Sequence, residues 1–125
     1  MNLLRILVMI FGAVCCVIAL THVVYGPSSI PGSVPVNATM DSEDRFYSTL
    51  FLGFGAALIW SAQDLIARRG VFHCLLAVFF LGGLARIVSA IDVGLPNQLF
   101  QFLGAVELTL PIIFYFWLKT LIKRA

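Results

Sequence analysis

Charge is what this sequence has least of. Of 125 residues only 11% are Asp, Glu, Lys or Arg, where a soluble domain carries about 25%. So little charge excludes an ordinary water-soluble fold, because such a surface could not be kept hydrated. The groups that chemistry needs are scarce as well. The 3 cysteines, Cys15, Cys16 and Cys74, fall inside apolar runs without metal-ligand or redox spacing and read as small buried hydrophobes. His22 and His73 lie near opposite ends of their runs, so no shared metal is expected, and no cofactor either. No nucleophile stands beside a base and no glycine loop suits a phosphate, which weighs against an enzyme. A net charge of +2, with no basic patch interleaved with aromatics, gives nucleic acid nothing to bind.

What the chain has in abundance is hydrocarbon: 61% of its residues are hydrophobic and its mean hydropathy is +1.02. Four apolar runs, at about residues 3–24, 46–66, 71–93 and 97–118, each approach the ~20 residues that a helix needs to cross a bilayer. They consume most of the chain, so the expected fold is all-α: one integral membrane domain over residues 1–125, a bundle of four transmembrane helices. The basic, apolar start MNLLRILVMIFGAVCC has the look of a signal peptide, but the run continues too far, and we read it as the first membrane helix.

Arg5, Arg68, Arg69, Lys119, Lys123 and Arg124 gather at the N-terminus, the second connection and the C-terminus. Because Lys and Arg are retained on the cytoplasmic side, both termini are expected inside and the first and third connections outside. The first connection, broken by Pro27, Pro31 and Pro35, is expected to be a long outward loop, either a lid or a passive linker. In the second, Asp64 and Arg68 are spaced for an i,i+4 pair.

Against this background Arg86, in GGLARIVSAID, requires an explanation. A charge near the middle of a bilayer costs about 3 kcal/mol even on lenient scales, so it is seldom left facing lipid. Counting at ~1.5 Å per residue, Arg86 lies about 12 Å below the outer end of the third helix and Glu107 about 16 Å below that of the fourth. A short turn, with Gly94 and Pro96, makes those helices antiparallel neighbours, and a bidentate Arg86–Glu107 pair is expected. Gly82, Gly83, Ser89 and Gly104 leave room around it, and Pro111 frees the Glu107 carbonyl. Arg45, at the outer edge of the second helix with Tyr47, brings another guanidinium to the same side of the membrane.

The segments EDRFYSTLFLGFGAALIW, GGLARIVSAIDVGLP and VELTLP resemble the signature of a family of small four-helix bacterial membrane proteins of unknown function. The resemblance implicates Arg45, Phe46 and Tyr47, then Gly53 and Gly55, then Gly82, Gly83, Arg86 and Ser89, then Gly94, Pro96, Glu107 and Pro111, with Ala85 where a second glycine is expected. It implies a multi-pass protein of the bacterial inner membrane and no activity.

Two readings of the charges stand side by side. The pair either only fixes helix register, or it forms a site with Arg45, Tyr47, Arg86, Ser89 and Glu107 as ligand-binding residues. In the second case the protein binds a lipid-like or anionic amphipathic ligand, or serves as an accessory subunit of a larger membrane complex. Glu107 also admits a small proton-coupled exporter, although Arg86 would compete for its charge, and a membrane-embedded enzyme acting on an apolar substrate is a further alternative. The Gly53-x-x-x-Ala57 face could pack the chain against itself or against a second copy, giving a homo-oligomer.

Overall fold

In the computed structural model, which describes residues 1–125, the chain is helical and has no strands. Helix α1 spans Asn2–Tyr25 and a 3-10 turn follows at Gly26–Ser29; α2 is Ala38–Ala62, α3 Arg69–Asp92 and α4 Gln98–Arg124. The expected order of four helices is present, but α2 begins at Ala38 rather than near residue 46. The reason is local: the Asn37 side chain accepts the Met40 N–H at 2.9 Å, and Asp41 sits in the first turn, where the helix dipole favours an anion. Residues whose polarity reads as loop are therefore the hydrated start of a helix. The irregular connection shrinks to residues 30–37, where Pro31 and Pro35 oppose regular structure.

Three helices are long and apolar enough to cross a membrane: α1 with its following turn, α3 and α4, with mean hydropathies of 2.8, 2.2 and 1.7 over their most apolar stretches. Helix α2 is long enough but less apolar, since its first turns carry Asp41, Glu43, Asp44 and Arg45 and its middle is diluted by Ser48, Thr49, Gly53 and Gly55.

The chain divides into two compact units, residues 5–63 and residues 64–125 with 1–4. In the first, α1 and α2 form a hairpin. A Cβ added to Gly12 would lie 2.7 Å from the Gly55 carbonyl oxygen, and one added to Gly55 would lie 2.7 Å from that of Gly12, so the two backbones touch where the helices cross. Each end is closed by an arginine. Arg5 Nε donates to the Ala62 carbonyl at 3.0 Å, and Arg45 Nη1 donates to the carbonyls of Val23 and Val24 at 2.8 and 3.1 Å. These carbonyls lie in the last turns of α2 and α1, which lack intrahelical partners, so each arginine from one helix caps the other.

In the second unit α3 and α4 form an antiparallel hairpin. Gly94, at φ +111°, turns the chain after α3, and the Asn97 side chain accepts the Leu99 N–H at 3.0 Å to start α4. Helix α4 runs six residues past its expected end at residue 118 (124 − 118), with Lys123 and Arg124 favourably placed at the negative end of its dipole. Before α3, Asp64 Oδ1 accepts the Ala67 N–H at 3.0 Å, so this carboxylate organises the connecting turn. Phe72, Leu76, Leu65, Phe114 and Leu118 are buried in this unit, and Val8, Cys15, Ala19, Leu58 and Ala62 in the other.

The Gly12–Gly55 crossing predicts that Gly12→Ala and Gly55→Ala each destabilise the detergent-solubilised protein by about 1–3 kcal/mol. Gly53→Ala, where a methyl meets nothing within 4 Å, should leave thermal unfolding unchanged or slightly raise its midpoint.

Candidate functional site

The α3–α4 hairpin brings Arg86 and Glu107 together as their depths require, with Nε donating to Oε2 at 2.6 Å. Arg86 lies six residues before the end of α3 (92 − 86) and Glu107 nine after the start of α4 (107 − 98), an offset of about 4–5 Å that the arginine stem covers. The exposures of the partners differ sharply. The Glu107 side chain is 12% exposed and that of Arg86 40%. The carboxylate is thus the shielded member, and the guanidinium reaches the surface of the hairpin.

The contact is not the bidentate one expected. It runs through Nε alone, and the terminal amino groups of Arg86 make no hydrogen bond within the protein. The Phe100 ring centroid lies 5.6 Å from Arg86 Cζ, so the guanidinium also has an aromatic face within cation–π range while its Nε edge meets Glu107. Phe100 stands seven residues before Glu107, two turns away on the same side of α4, a spacing that makes it findable in retrospect.

Glycines set the distance between the helices. A Cβ on Gly83 would fall 2.8 Å from Leu108 Cδ2 and 3.2 Å from Glu107 Cβ, and one on Gly104 would fall 3.4 Å from Arg86 Cδ. Gly83 lets the α3 backbone approach the base of the glutamate, and Gly104 accommodates the arginine stem. Gly82 meets nothing within 4 Å, so of the adjacent pair only the second glycine is required by packing. Pro111 is buried within α4, which continues through it. Its missing N–H leaves the Glu107 carbonyl without the usual i+4 donor, next to the charged pair.

The other expected site residues are placed differently. Ser89 is exposed on α3, one turn beyond Arg86, and hydrogen-bonds neither partner through its hydroxyl. Tyr47 is 60% exposed and stacks edge-on against Phe46 at 5.5 Å. Arg45 is committed within its own hairpin: beyond the two carbonyls of α1, its Nε donates to Asp41 Oδ1 at 2.7 Å and its Nη2 to Asp41 Oδ2 at 3.4 Å. The bond to Asp41, aided by the Asp44 charge, outweighs desolvation and raises the Arg45 pKa above its usual value. Gly26 is part of this clamp, since at φ +71° a Cβ there would lie 2.7 Å from Arg45 Nη2. Close by, His22 Nδ1 lies 3.3 Å from Asp44 Oδ1, a second polar tie between α1 and α2. Neither tie was legible in the sequence, because both join residues about twenty positions apart across a connection of irregular shape.

No cluster of His, Cys, Asp or Glu is arranged to hold a metal ion.

A family model described as a domain of unknown function, DUF4345, matches residues 3–118. The chain belongs to this family. The match runs through all four helices, so the Arg86–Glu107 hairpin and the Arg45 clamp both lie inside the family's domain. No curated protein and no solved structure matches the chain.

The tight Gly83–Leu108 contact predicts that Gly83→Ala lowers stability by about 1–2 kcal/mol, whereas Gly82→Ala does not. Adding Leu108→Ala should remove most of the Gly83→Ala penalty, because the atom in the way is then absent. Thermal unfolding of wild type, Gly82→Ala, Gly83→Ala, Leu108→Ala and the Gly83→Ala, Leu108→Ala double variant in one detergent checks both expectations.

Proposed function

We propose that the protein is a multi-pass membrane protein that binds a lipid-like or anionic amphipathic molecule through the α3–α4 hairpin, with Arg86 as the group that holds the ligand's acidic head. The observation that carries this reading is the unequal pairing at Arg86: one edge is neutralised by a shielded carboxylate, while the terminal amino groups remain without protein acceptors on a half-exposed side chain. On a segment apolar enough to lie in a bilayer, such donors need an acceptor from outside the protein, either water or the oxyanion of an amphiphile. Ser89, exposed one turn nearer the end of α3, is placed to add a hydroxyl. Glu107 orients the arginine. Arg45 and Tyr47 have no part in this reading, since they lie in the other compact unit and the Arg45 donors are already taken.

In this reading all four helices cross the bacterial inner membrane with both termini in the cytoplasm, and the acidic start of α2 projects outside with Asp41, Glu43 and Asp44. The same accessible arginine would serve an accessory subunit whose partner offers a carboxylate. A proton-coupled exporter is less well supported, because it needs Glu107 free to exchange a proton for a cation and Arg86 holds that carboxylate at 2.6 Å.

Native mass spectrometry of the protein, extracted gently from membranes, tests the reading. Wild type should carry an adduct of acidic lipid mass that is reduced at least about tenfold in Arg86→Ala, the loss of one charge-assisted contact. Identical spectra from the two proteins would remove the proposal.

A further inference from the structure

We propose that the end of the α3–α4 hairpin remote from the Gly94 turn clamps the phosphate of an acidic phospholipid, with Arg69 and Lys119 as the two donors. The site lies about 25 Å from Arg86 along α3. It does not depend on the ligand-binding reading of Arg86 and requires only that α3 and α4 cross the bilayer.

Packing inside the hairpin brings these two cations side by side. The ring centroids of His73 on α3 and Tyr115 on α4 lie 4.9 Å apart. Arg69 stands four residues before His73 and Lys119 four after Tyr115, so each cation lies one helical turn beyond the ring contact, on the same face of its own helix. Lys119 Nζ is 5.8 Å from the Tyr115 ring centroid, which holds the ammonium near that ring. Neighbouring helices pack about 8–10 Å apart, a gap that two long stems can close around one tetrahedral phosphate. Neither cation makes an ion pair with a carboxylate of the chain. Asp64, the acidic residue nearest to Arg69 along the chain, is engaged by the Ala67 N–H at 3.0 Å. Helix α3 begins without a side-chain cap or an acidic residue in its first turn, so its dipole adds positive potential at the same place. Two exposed like charges side by side favour an anion between them. Depth identifies the anion. The apolar run of α3 starts at Val71 and that of α4 ends at Leu118, so Arg69 and Lys119 lie within about 3 Å of the hydrocarbon boundary, level with the head groups. A zwitterionic head would bring its own ammonium into a cluster that Lys123 and Arg124 extend, whereas phosphatidylglycerol brings no cation.

A lipid held on the exposed surface of the hairpin exchanges with its neighbours, so it is measured in a bilayer rather than on extracted protein. Trp117, two residues before Lys119, is the reporter once Trp60→Phe has removed the other tryptophan of the chain. The protein is reconstituted at low salt in vesicles of dioleoyl phosphatidylcholine, part of which is replaced by brominated phosphatidylcholine or brominated phosphatidylglycerol, whose bromines quench nearby tryptophan. Relative quenching should show at least about a fivefold preference for phosphatidylglycerol at Trp117, the scale of a basic side chain at a charged membrane surface. Arg69→Gln combined with Lys119→Gln should reduce the preference to within about twofold. Lys123→Gln combined with Arg124→Gln removes the same charge about one turn further out and should keep at least about half of it, because the clamp is intact. All four side chains are exposed, so these substitutions leave the packing of the hairpin unchanged. Wild type with both tryptophans gives the same comparison in diluted form if Trp60→Phe does not fold. Equal quenching by the two brominated lipids would overturn the proposal. A preference that falls as far without Lys123 and Arg124 as without Arg69 and Lys119 would replace the clamp by diffuse charge. No quenching by brominated phosphatidylcholine would remove Trp117 from the bilayer and the clamp with it. The preference should be unchanged in Arg86→Ala, so failure here and failure of the Arg86 reading are separate results.

Discussion

A guanidinium on a helix of bilayer length must find its compensation inside the hairpin or from outside it, and the architecture of α3 and α4 follows from that requirement. Arg86 takes part of its compensation from Glu107 on the neighbouring helix, at 2.6 Å, and part from the face of Phe100. For those contacts to form, the helices must approach closely near the carboxylate, and Gly83 supplies the missing bulk where Leu108 and the base of Glu107 press against α3. They must also hold their relative depth, which the compact turn through Gly94 and the Asn97 cap fixes. Changing any of these residues changes how the charge is met, so the pair and its packing form one unit rather than a contact added to a finished scaffold.

Three arginines show how context assigns work to one side chain. Arg5 and Arg45 donate to backbone carbonyls at the C-terminal ends of α2 and α1, doing for a membrane-length hairpin what glycine caps and water do in soluble proteins. The Arg45 donors go to the two carbonyls and to Asp41, whereas Arg5 makes its one hydrogen bond through Nε. Arg86 likewise bonds through Nε alone, but its partner is a shielded carboxylate on the neighbouring helix rather than a backbone carbonyl.

Much of this organisation was legible in the sequence. The long apolar runs gave the helices nearly to their ends for α1 and α3, because hydrophobic length is a property of the chain alone. The Arg86–Glu107 contact was legible for the same reason: a short turn fixes depth, and depth decides which charges meet. The start of α2 was not, since Asn37 and Asp41 are equally at home in a loop and become a cap and a first turn only when the helix forms. Nor was the role of Arg45. Its partners are carbonyl oxygens of Val23 and Val24, and backbone acceptors leave no mark in a sequence. The single-edge pairing of Arg86 was hidden as well, since helix spacing fixes which charges meet and not which guanidinium nitrogens donate.

The chain belongs to a family without an assigned activity, so its function has to be approached through this one charged contact. The most direct measurement is a double-mutant cycle on unfolding free energy in a single detergent, comparing wild type, Arg86→Met, Glu107→Met and the double variant. Each single substitution leaves the other charge without its partner and should cost about 2–4 kcal/mol, while the double variant should cost less than the sum by about 1–2 kcal/mol. Strictly additive losses would mean that the two side chains do not interact, and the account of the hairpin built on them would fail.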